Sequence, residues 1–155
     1  MTPRTAIFTP KFGSQYESSQ ICSSFNSHLP EYNLENAQAI QSICRQDSLA
    51  NIPVDIYLNP TTKNLHYKST DSIVPETIFS NFFIYNDNKS PYMRSELNTM
   101  APNLYDHSIH LSFCSTKSPA LTFLTPGAHN SKIVKIVCEN GFLTHVKAVS
   151  YTHLR

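Results

Sequence analysis

Residues 132–147 read KIVKIVCENGFLTHVK, two runs rich in β-branched and apolar residues on either side of Asn140-Gly141. Asn-Gly is the pair that a two-residue type I′ hairpin turn requires, because both turn positions need φ > 0. Asn tolerates that region and Gly enters it without steric cost. The stretch therefore predicts an antiparallel hairpin, with Glu139 facing Phe142. One face would carry Val134, Ile136, Cys138 and Leu143, the other Ile133, Val137, Phe142 and Val146. A sheet wetted on one side alternates apolar with polar residues. Apolar groups on both faces predict that helices cover one side, and a protein partner or a downstream domain the other.

Upstream of the hairpin the period changes twice. Ile21, Cys22, Phe25 and Leu29 recur at helical steps over 18–29. A second helix is expected over 34–50, capped by Asn33, with Leu34, Ala37, Ile40, Ile43 and Cys44 as its stripe. Val54, Ile56 and Leu58 then alternate as a strand, and a turn over 59–64 leads to a second strand at 65–68. Pro75, followed by Ile78, Phe79, Phe82 and Phe83, predicts a third helix. Ser90 and Pro91, at cap and first-turn positions, predict a fourth through Met93, Leu97 and Met100. Ile109, Leu111 and Phe113 return to period two, and 120–125 forms another strand. Helical and strand blocks segregated in this way predict an α+β fold, an antiparallel sheet with helices packed on one face. The element order over 54–147 resembles that of PAS-type sensor domains, which implies a sensory or ligand-binding module but names no ligand.

Residues 149–155, VSYTHLR, resemble the translation of a transposase mosaic-end sequencing adapter, and Ala148 fits its junction codon. The resemblance implies that 148–155 is an adapter-derived tail. Residues 1–147 would then be a single domain, a fragment of a longer protein.

Composition excludes several functions. The chain has 12 Lys and Arg against 11 Asp and Glu, and without Arg155 the formal charge is zero. A neutral surface argues against nucleic acid and against a polybasic membrane face as partners. Glycines stand only at 13, 127 and 141, too far apart for a dinucleotide fingerprint, a phosphate loop or a nucleophile elbow. Cysteines at 22, 44, 114 and 138 form no CxxC, so neither a metal nor a cofactor is expected. Four cysteines in a chain this long read as buried reduced thiols, and with no signal-type or membrane-length apolar run the protein is expected to be cytoplasmic.

Candidate chemistry is sparse. His107 and His110, with Asp106 beside them and His129 downstream, are the nearest approach to a metal or acid–base group. On a strand their odd spacing sends them to opposite faces. His110, Ser112 and Cys114 share a strand face, yet His110 and Cys114 lie about 13 Å apart by strand rise, too far for an activated thiolate pair. An outward polar stripe is expected there. Phe79, Phe82, Phe83 and Tyr85 suit a helix's core side better than a ligand pocket. The sequence thus favours a sensory, ligand-binding or interaction module. An enzyme domain using His107, His110 and His129, or a structural assembly part, are the alternatives.

Overall fold

The run at 135–139 does form a strand, but its observed partner is the beginning of the chain. In the computed structural model, which describes residues 3–8, 15–87, 90–126, 135–139 and 149–150, β1 (Pro3–Phe8) pairs antiparallel with β9 (Lys135–Glu139). On its other edge β1 pairs in parallel with β10 (Val149–Ser150), through Ile7 with Val149 and Phe8 with Ser150. The Asn140-Gly141 turn and the returning strand lie outside the described residues. So do His129 and most of 148–155.

The main sheet has five strands: β2 (Asn51–Pro53), β7 (Ser108–Ser112), β8 (Ala120–Leu124), β5 (Asn81–Ile84) and β6 (Tyr92–Met93), side by side in that order. Its pairings are antiparallel except between β5 and β8, where Phe82 aligns in parallel with Leu121. β3 (Ile56–Asn59) and β4 (Asn64–Tyr67) form a separate hairpin. Its turn is held by Asn59, whose Oδ1 accepts the backbone N–H groups of Thr61 and Thr62, while Lys63 takes a left-handed φ of 56°. The helices are α1 (Gln15–Ser23), α2 (Ala37–Gln46) and α3 (Leu97–Met100). The fold is α+β.

α2 is shorter than its stripe suggested. Asn33 and Asn36 bond each other reciprocally: each Oδ1 accepts the other's backbone N–H, at 3.0 and 2.8 Å. That locks 33–36 into a turn and leaves Leu34 83% exposed. At the other end Ser48, at φ 55°, stops the helix before Asn51 does. Ile40 and Cys44 alone of the expected stripe are fully buried.

The helix expected after Pro75 is corrected. Only one turn forms, closed by the Ile78 N–H on the Pro75 carbonyl, and residues 81–84 are a strand. Phe82 packs on Tyr92 and Phe123, while Phe83 faces the opposite side against Phe113. The Phe pair reads as helix by spacing, but β8 offers a ladder of backbone partners that an isolated aromatic segment lacks. The fourth helix is also corrected: Tyr92–Met93 is strand, 94–96 is a 3₁₀ turn, and α3 occupies a single turn.

The cysteines overturn a third expectation. Cys22 is bonded to Cys138 and Cys44 to Cys114, with Cα atoms 5.5 and 5.9 Å apart. None is free. The first bond sits in a small apolar cluster of Cys22, Leu29, Ile136 and Cys138; the second belongs to the main core.

Gln15 ties the layers together. Its Nε2 donates to the Val54 and Ile56 carbonyls at 2.7 and 2.6 Å, and its Oε1 accepts the Ile109 N–H at 3.1 Å, all buried. A Gln15→Ala variant leaves three buried backbone groups unpaired, and buried orphans each cost about 1–3 kcal/mol. We expect a loss of about 2–4 kcal/mol in urea unfolding, allowing for partial relaxation. A change below ~1 kcal/mol would mean that water reaches these groups.

Candidate functional site

The hairpin turn after β3 and the 3₁₀ turn after β6 face each other across a cleft of about 200 Å³. Arg94 stands on its wall. Met93 is extended and its N–H is accepted by Glu96 Oε1 at 3.0 Å, which aims the next residue back over the chain at 74–75. The Arg94 backbone N–H donates to the Ser80 carbonyl. Its guanidinium donates from Nη1 to the Pro75 carbonyl at 2.7 Å, and from Nη2 to the Val74 carbonyl at 2.6 Å and Asn64 Oδ1 at 3.4 Å. Nε is buried with no partner.

These partners orient the charge without neutralising it. The acceptors of the Arg94 side chain are two backbone carbonyls and one amide oxygen, with no carboxylate among them. Burial pulls the Arg94 pKa down, opposed by the fields of Glu76 and of the Tyr67 phenol. Lys63 adds a second cation to the cleft, against the single carboxylate of Glu76. Thr62, Asn64, Ser95 and Asn98 supply neutral polar groups, and Leu97 the apolar patch. A half-buried guanidinium with donors left over, beside an ammonium and two hydroxyls, is suited to a small oxyanion.

Among the described residues, those singled out from sequence form no joint ligand group. His107 lies in the turn before β7, with Nδ1 3.1 Å from Asp106 Oδ1. His110 is in the centre of β7, between Pro53 and Thr122 on the neighbouring strands. It is 1% exposed, both ring nitrogens lack a partner, and burial drives its pKa down to about 3. The outward stripe is therefore corrected: the five-stranded sheet is covered at His110 on both faces. Cys114 cannot serve as a thiolate while bonded to Cys44. Phe113 takes φ 59°, which breaks the alternation after Ser112 and leaves its ring 52% exposed.

Sequence reasoning missed a second polar centre. Among the described residues one trio could jointly ligate a cation, His28, Glu31 and Glu139. Burial raises the Glu31 pKa; His28 opposes that rise, and Asp55 and Glu139 add to it. Asp55 is likewise raised by burial, against hydrogen bonds from the Ser69 hydroxyl and N–H. With Glu31 and Glu139 108 positions apart, no spacing signal could have joined them.

The fold and cleft together define a disulfide-bonded α+β domain with a cationic polar cleft. No protein-family model matches the chain, and no curated protein matches it. Among the described residues no helix is long and apolar enough to cross a membrane.

Proposed function

We propose that the chain is a binding module whose cleft takes a small carboxylate- or phosphate-bearing ligand, as the sensory or interaction part of a larger protein. The observation that carries this is Arg94: a half-buried guanidinium, held in place by two carbonyls, with no carboxylate bonded to it and Lys63 nearby. An anionic ligand would supply the missing counter-charge. The two disulfides favour an oxidising compartment over the cytoplasm. An enzyme domain built on His107, His110 and His129 is the poorer alternative, because His110 is sealed inside the sheet.

The test is calorimetric titration of the full chain with inorganic phosphate and with succinate. Lys63 is exposed, so Lys63→Ala leaves the fold alone. We expect saturable binding of at least one probe, weakened about tenfold or more in Lys63→Ala, since one charge-assisted hydrogen bond contributes about 1.5–3 kcal/mol. Absence of binding at millimolar probe, or binding indifferent to Lys63, would remove the cleft as the site.

A further inference from the structure

We propose that His28, Glu31 and Glu139 form a site for one divalent transition-metal ion of the zinc type. The three come from segments joined by backbone: the Glu139 N–H donates to the His28 carbonyl at 2.7 Å, and the His28 N–H to the Glu139 carbonyl at 2.9 Å. That antiparallel bridge fixes the separation of the two side chains. Residues 29–31 then bring Glu31 over the end of β9, where its own N–H donates to Glu139 Oε2 at 3.2 Å. One potential ligand atom from each residue lies within 4.8 Å of the other two.

The donor set is prepared for a cation. The His28 Nδ1 is 2.7 Å from the Leu29 carbonyl oxygen, which can only accept. A neutral ring therefore carries its proton on Nδ1 and would leave the Nε2 lone pair free, the arrangement that metal-binding imidazoles use. Asn36 Nδ2 donates to Glu139 Oε1 at 2.8 Å and orients that carboxylate in the same outer-shell manner. Glu139 is fully buried and Glu31 is 7% exposed. The Glu31 Oε2 is buried with no hydrogen-bond partner at all. Among the residues whose side chains are described, no Lys or Arg forms an ion pair with either carboxylate. Two buried carboxylates in contact range, one with an orphan oxygen, are relieved either by a proton held between them or by a cation.

One imidazole and two carboxylates give a mixed nitrogen and oxygen set. Zinc accepts such ligands at about 2.0–2.2 Å in tetrahedral geometry. Calcium prefers six to eight oxygens, and the disulfides leave no thiolate for softer ions. His28 is half-buried and is the most exposed of the three. A bound ion would clamp the chain at 28–31 to β9, beside the Cys22–Cys138 bond. The Arg94 cleft plays no part in this assignment.

The experiment uses the full oxidised chain, purified without metal-affinity resin and dialysed against a chelator. Zinc is titrated by calorimetry and cobalt(II) by visible absorption, with His28→Ala, Glu31→Gln and His107→Ala variants alongside. Only the side chain of His28 is removed in the first, so its backbone bridge persists. Melting in chelator verifies that each variant is folded, and either His28→Ala or Glu31→Gln alone suffices. The expected result is one ion per chain, a cobalt spectrum of tetrahedral intensity, and affinity lowered about 100-fold or more in the folded ligand variants. His107→Ala should bind like the parent. No saturable binding by the parent, or binding unchanged in a folded ligand variant, overturns the site.

Discussion

Reduction of the two disulfides is expected to unfold the protein at room temperature. Cys22–Cys138 spans 116 residues and Cys44–Cys114 spans 70. Closing loops of that length removes denatured-chain entropy worth roughly 4–5 kcal/mol for each bond. A domain of this size has a total stability of about 5–15 kcal/mol. Losing both bonds therefore consumes most or all of it. Cys44→Ala/Cys114→Ala and Cys22→Ala/Cys138→Ala double variants should each lower the urea midpoint sharply, and the combination should show no cooperative transition. The Cys22–Cys138 bond anchors a cluster of few apolar residues, so its loss should also loosen β9 ahead of the main sheet. Retention of a cooperative transition at an unchanged midpoint in strong reductant would contradict the expectation.

Acid is expected to destabilise the fold through His110. The folded pKa is about 3 and the unfolded value is 6.5, so below 6.5 the unfolded chain takes up a proton that the folded one refuses. Stability then falls as the pH drops from about 6.5 towards 3, and is flat in this respect above 6.5. At 1.36 kcal/mol per unit, the span amounts to on the order of 4–5 kcal/mol, of which about 3 is lost by pH 4. Asp55 and Glu31 work in the opposite sense, since their raised folded values cost stability as the pH rises past their unfolded ones. His110→Leu isolates the histidine. The variant should lose this part of the acid dependence. At pH 7 it should also be more stable by about 1–3 kcal/mol, because two buried unpaired nitrogens are removed. Equal pH dependence in parent and variant would mean that water or a shifted neighbour already satisfies the ring.

Part of the architecture was legible because it is encoded within one element. The β3–β4 hairpin follows from Asn59 and alternating apolar residues, and the core positions Ile40, Cys44, Ile109 and Leu111 follow from their local period. The α+β class follows from the segregation of those periods. The candidate sites were not legible. Lys63 and Arg94 are 31 positions apart in different turns, and neither carries a motif; the cleft exists only because both turns converge. Glu139 read as one of the two residues flanking a hairpin turn. It became a fully buried carboxylate because residues 28–36 fold over it.

By itself the sequence determined which segments are strand or helix wherever a single face and a short-range turn were enough: Asn59 for the hairpin, Ile40 and Cys44 for α2. Tertiary structure decided the rest. Phe82 and Phe83 are strand because β8 completes their ladder, and the cysteines pair because the fold brings Cα atoms from distant segments within 6 Å. His110 is neutral because layers on both sides exclude water. Periodicity records which side of one element is apolar, whereas pairing, burial of charge and disulfide choice depend on neighbours that local sequence does not contain.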